Sequence, residues 1–135
     1  MTAPLKALVI DDDVAIRVLV TRILERRSFV VDSARDGAEG IEKLATAQYA
    51  VIILDLMMPR IDGAGVLKYL AEFHPAQLPT VIVMTAFGAK AAEQLFPPPA
   101  HLLEKPFDVD ALVREVGECL QASEAPPPPP TPAAG

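Results

Sequence analysis

The chain is poor in cysteine, in basic charge and in long apolar runs, and each shortage removes a class of proteins. One cysteine, Cys119, stands among 135 residues, so no internal disulfide can form and a reducing compartment is expected. Twelve basic residues against eighteen acidic ones leave a net charge of −6, whereas direct nucleic-acid binding wants a basic face. No apolar run is long enough to span a bilayer, and no charged segment followed by an apolar one opens the chain. The two histidines, His74 and His101, lack a second ligand at metal-binding spacing. These shortages leave a cytoplasmic protein with no membrane insertion and no direct nucleic-acid contact as the expectation.

What is abundant is aliphatic. Hydrophobic residues make up 51% of the chain, which suits a single domain whose sheet is covered on both faces. Leu5 to Ile10 reads as a first strand ending in Asp11-Asp12-Asp13. The spacing then turns helical, with Ile16, Leu19, Val20, Ile23 and Leu24 on one face and Asp13 placed to cap. Phe29-Val30-Val31 is a short second strand, Asp36-Gly37 a turn, and Ile41, Leu44 and Ala45 mark a second helix. Ala50 to Leu54 is a buried third strand that delivers Asp55. Asp62-Gly63 opens a third helix along Val66, Leu67, Leu70 and Phe73, and Pro75 and Pro79 end it and frame a loop.

Thr80 to Met84 is the fourth strand, finishing at Thr85. Gly88 to Leu95 leaves room for only a short helix before Pro97-Pro98-Pro99. Leu102-Leu103 is a fifth strand ending at Lys105, and Asp108 caps a last helix along Val109, Leu112, Val113, Val116 and Leu120. Residues 1–122 thus form the folded domain, and 123–135, with five consecutive prolines, a disordered tail or linker stub. Five strand–helix units in alternation imply parallel strands joined by right-handed crossovers.

Parallel strands bring their carboxyl ends to one edge. That edge collects Asp11 and Asp12 from the first strand, Asp55 from the third, Thr85 from the fourth and Lys105 from the fifth. Crowded carboxylates repel unless a cation sits among them, and an all-oxygen ligand set suits Mg²⁺ or Mn²⁺. Magnesium pairs naturally with phosphate oxygens, so the edge is expected to hold a phosphoryl group. Asp55 can act as the nucleophile, with Thr85 and Lys105 meeting the added oxygens.

The segments Val9-Ile10-Asp11-Asp12-Asp13, Ile52 through Gly63, Val83-Met84-Thr85-Ala86 and Lys105-Pro106-Phe107 closely resemble the receiver domain of two-component response regulators. The resemblance covers residues 5 to 121. It implies a flavodoxin-like (βα)5 doubly wound parallel sheet with strand order 2-1-3-4-5. It also implies a signalling switch of the stand-alone, CheY-like kind rather than an enzyme. Asp55 would accept a phosphoryl group from a sensor histidine kinase or histidine phosphotransfer protein and so change binding to a downstream protein. Asp12, Asp55 and the Met57 backbone carbonyl would ligate the metal directly, Asp11 mainly through water. A cis peptide is implied between Lys105 and Pro106.

Two departures qualify that reading. Leu102 stands three positions before the lysine, where typical receivers carry an aromatic ring that turns inward. The segment from Thr85 to Lys105 is short and proline-rich, so an atypical output face is expected. Met57 and Phe87 are apolar where many relatives place water-orienting groups, which should lengthen the life of an aspartyl-phosphate. Two other readings fit parts of the chain. One is a receiver-like interaction module that is not phosphorylation-switched. The other is a haloacid-dehalogenase-like phosphatase using Asp11-Asp12-Asp13, which would leave Asp55 without a role.

Overall fold

A computed structural model describes residues 4–58, 61–86 and 98–124 (backbone alone for 122–124), together with Lys90, Ala92 and Leu95. Five parallel strands form one sheet: β1 (Lys6–Ile10), β2 (Val30–Ala34), β3 (Val51–Asp55), β4 (Val81–Thr85) and β5 (His101–Glu104). Their spatial order is β2-β1-β3-β4-β5. This is the doubly wound flavodoxin-like arrangement, in which ligands bind outside the carboxyl ends of the strands. Helices α1 (Val14–Arg26), α2 (Gly37–Leu44) and α3 (Gly63–Phe73) make the crossovers, and a C-terminal helix runs from Val109 to Glu124.

Alternation along the strands sorts the core into two layers. Ala7 and Val9, Val51 and Ile53, Ile82 and Met84 pack with α1 and the C-terminal helix. Leu8 and Ile10, Ile52 and Leu54, Val81 and Val83 pack with α2 and α3. Every residue of β3 and β4 is buried, as a sheet covered on both faces requires.

Several boundaries differ from the expectation. The second strand lies at Val30–Ala34 rather than Phe29–Val31. Phe29 closes α1 instead: its N–H donates to the Leu24 carbonyl (3.1 Å), and the Ser28 N–H to that of Glu25 (3.0 Å). Ser28 takes the left-handed conformation (φ 70°) that this helix ending demands. Asp32 and Ser33 are tolerated because β2 is an edge strand. The expected loop after α3 is a 3-10 helix, Pro75–Thr80. Leu19 (48% exposed), Phe73 (60%) and Val109 (50%) share the spacing of their buried neighbours but face outward. Phe73 stacks instead on Tyr69, with ring centroids 5.1 Å apart.

The caps at Asp13 and Asp108 form as read: Asp13 accepts from the N–H groups of Ala15 and Ile16, and Asp108 from that of Ala111. Asp36 and Asp62 cap α2 and α3 in the same way. Most of the segment from Gly88 to Leu95, with Pro97, lies outside the described residues. Within it Lys90 and Ala92 are helical.

Candidate functional site

Four strand ends, those of β1, β3, β4 and β5, build the site. β1 and β3 are neighbours, with Ile10 opposite Leu54, so the residues that follow them emerge side by side. Asp11 is fully buried and Asp55 is 5% exposed. Asp12 is exposed. One carboxylate oxygen from each of Asp11, Asp12 and Asp55 lies within 4.8 Å of the others. Lys105, arriving at the end of β5, places Nζ 3.3 Å from Asp11 Oδ2 and 3.4 Å from Asp55 Oδ1. Its side chain is only 17% exposed.

Thr85 is fully buried at the end of β4, and its carbonyl accepts the Lys105 N–H at 2.7 Å. The Lys105–Pro106 peptide is cis. The Met57 N–H donates to Asp55 Oδ1 at 3.4 Å, while the Met57 side chain is 57% exposed.

The opening of α3 closes tightly on this edge. The Gly63 N–H donates to the Leu56 carbonyl at 3.0 Å. A Cβ at Gly63 would stand 2.8 Å from both the Asp55 carbonyl oxygen and Leu56 Cα, so the chain can pass here only as glycine.

Burial is the main influence on the Asp55 carboxyl and raises its pKa from the ordinary carboxylate range to about 6. The Asp11 charge pushes in the same direction, and Lys105 and the Met57 N–H partly oppose both. The charges do not balance: three carboxylates face one ammonium. Hard oxygen ligands at this spacing fit a divalent cation such as Mg²⁺. The donor set therefore accepts the metal expected from the sequence.

The structure thus gathers Asp11, Asp12, Asp55 and Lys105 and sets Thr85 beside them. Phe87 lies outside the described residues. Leu102 sits opposite Val83 in the sheet, partly buried against the α2–α3 core layer. Sequence reading missed Arg17, whose Nη1 donates to the Asp11 carbonyl oxygen at 2.7 Å. The six-residue spacing from Asp11 was a usable signal, but the three arginines on α1 and Arg27 just beyond it all read as solvent-facing.

The family model for the response regulator receiver domain matches residues 7–117. The chain belongs to this family. Among curated relatives, a protein-glutamate methylesterase/protein-glutamine glutaminase of Desulfitobacterium hafniense is 31% identical over 90% of this chain and 33% of its own length. The transcriptional regulatory protein ResD of Bacillus subtilis is 41% identical over 64% of this chain and 35% of its own. The chain therefore spans about a third of these relatives, and the activities in their names belong to those longer proteins.

Among solved structures, a Francisella response regulator receiver domain shares 30% identity with a TM-score of 0.77, covering 90% of this chain and all of its own. The Vibrio cholerae chemotaxis protein CheY4 shares 27% with a TM-score of 0.80, covering 87% and 100%. The TrrA response regulator of Thermotoga maritima, solved with Mg²⁺ and a beryllofluoride, shares 27% with a TM-score of 0.75, covering 85% and 98%.

Proposed function

We propose that this receiver domain is switched by phosphorylation of Asp55. A sensor histidine kinase or histidine phosphotransfer protein is the donor. The observation that carries the reading is Lys105 bridging the buried Asp11 and Asp55 carboxylates inside a three-carboxylate cluster. An Asp55 oxygen attacks the donor phosphorus, the bond from phosphorus to the histidine nitrogen breaks, and that nitrogen keeps the electron pair. A carboxylate made more basic by burial is the better nucleophile.

Asp12, Asp55 and the Met57 carbonyl, with Asp11 beside them, are the groups that would hold Mg²⁺. When bound, it would supply positive charge against the phosphoryl oxygens. Lys105 leaves its two carboxylates to meet a phosphoryl oxygen. Thr85, fully buried at the end of β4, offers its hydroxyl to another.

The test is incubation with Mg²⁺ and acetyl phosphate, followed by detection of an acyl-phosphate adduct. The adduct should form in the wild type and be absent in Asp55→Asn; an adduct of equal yield in both rejects the reading. Met57 bears on its lifetime. Replacing this exposed apolar side chain by asparagine should shorten the adduct's half-life several-fold by orienting water, and an unchanged rate of loss rejects that role.

A second reading is favoured by Leu102. It already packs against the core and carries no ring or hydroxyl to redirect, so partner binding without a phosphorylation response is its natural consequence. Partner binding that is the same for wild type and Asp55→Asn, with and without acetyl phosphate, would establish that reading.

A further inference from the structure

We infer that Arg17 is a positioning residue that holds the acidic β1–α1 loop in its cation-binding shape. The inference rests on the functional reading above. The Asp11 carbonyl, just past the end of β1, accepts from the Arg17 guanidinium at 2.7 Å. Its other contacts make the loop a closed local circuit. The Asp11 N–H donates to the Ala34 carbonyl at 3.1 Å, and the Asp13 N–H to Asp11 Oδ1 at 2.9 Å. Asp13 Oδ1 in turn accepts from Ala15 and Ile16, the first turn of the helix that carries Arg17.

Of the two cluster acids on this loop, Asp11 is bonded into the circuit and Asp12 is not. Asp12 is exposed, and its direction follows from the fixed backbone on either side. The circuit therefore sets where the Asp12 carboxylate points relative to Asp11 and Asp55.

Charge and geometry make opposite claims for Arg17. As a fixed positive charge near a cation site it should weaken Mg²⁺ binding, so its removal would tighten binding. As an outer partner that orients ligands it should strengthen binding; loss of such partners commonly costs about 10- to 100-fold in metal affinity. The 2.7 Å contact is to a backbone oxygen and not to a carboxylate, so Arg17 neutralises none of the three acids directly. Geometry is the stronger claim.

The experiment is Mg²⁺ titration of the full chain by calorimetry, with amide shifts of Asp12 and Asp13 followed by NMR, for wild type, Arg17→Ala and Arg17→Lys. Thermal unfolding of each in metal-free buffer controls for folding. Arg17→Ala should bind Mg²⁺ about tenfold more weakly with an unfolding midpoint near that of the wild type. Arg17→Lys, which keeps a donor and the charge, should recover part of the loss. Unchanged or tighter binding by Arg17→Ala overturns the inference, as does a loss that Arg17→Lys does not reduce. A wild type that binds no Mg²⁺ removes the functional reading and this inference together. Wild-type binding with an unaffected Arg17→Ala removes only the inference.

Discussion

Two acid–base clusters sit at opposite edges of the same sheet, and they are finished differently. At the amino edge, the Tyr49 hydroxyl donates to Asp32 Oδ2 at 2.7 Å, and Lys6 Nζ lies 3.9 Å from the same oxygen and 5.6 Å from the Tyr49 ring centroid. One acid meets one base and one hydroxyl, with both charged side chains more than a third exposed. At the carboxyl edge, three acids meet one lysine, and Asp11, Asp55 and Lys105 are buried or nearly so. The first cluster is closed and contributes to stability. The second is left short of positive charge, which costs stability and suits it to a divalent cation.

If that contrast is right, removing the base should matter far more at the carboxyl edge. Lys105→Met leaves two buried carboxylates facing each other, and breaking a buried pair costs about 3–5 kcal/mol. The loss should be largest in metal-free buffer at pH 7.5 and smaller at pH 5, where Asp55 takes up a proton. Denaturant melts at the two pH values measure it; equal losses would mean that the lysine is not offsetting carboxylate charge.

Removing the acid should do the reverse. The Asp55 pKa of about 6 lies above its ordinary value of 3.8, so the folded state binds this proton more tightly than the unfolded chain. The associated stability is present in full below about pH 4 and is lost as pH rises through about 6. Asp55→Asn should therefore stabilise the metal-free protein by about 1–3 kcal/mol at pH 7.5 and by much less at pH 4.5. Added Mg²⁺ should narrow the gap, because it stabilises the wild type. A variant less stable than wild type at pH 7.5 would show that the site carries no charge strain.

Much of this was legible in the sequence, because the sheet's physics is local. Runs such as Val51 to Leu54 admit only a doubly covered strand, Asp13, Asp36, Asp62 and Asp108 precede helices at capping positions, and parallel crossovers must bring Asp11, Asp55, Thr85 and Lys105 to one edge. What the sequence hid depends on which way a helix is turned and on contacts across long separations. Leu19, Phe73 and Val109 have the spacing of core residues but lie on the shoulders or ends of their helices. Arg17 looks like any surface arginine until α1 is docked, and Tyr49 meets Asp32 only because β2 and the start of β3 flank β1. Asp32 itself, in the middle of β2, carries no sign in the sequence that a buried tyrosine will donate to it.

The amino edge supplies the smaller effects. Tyr49→Phe removes the hydroxyl that binds Asp32, but the half-exposed carboxylate can turn to water, so the loss should be about 1 kcal/mol with phosphorylation unchanged. Lys6→Met should do less. Its ion pair is long at 3.9 Å, with side chains 45% and 37% exposed. Such pairs contribute little and are screened by salt, and the ring contact at 5.6 Å lies near the limit of the cation–π range. The expected cost is about 0.5 kcal/mol in low salt and nothing measurable in 1 M NaCl. Paired denaturation curves for Lys6→Met and Lys105→Met at both salt concentrations set the two edges side by side. A salt-resistant loss above about 1 kcal/mol at Lys6 would mean that the amino edge, too, depends on a charge that water cannot replace.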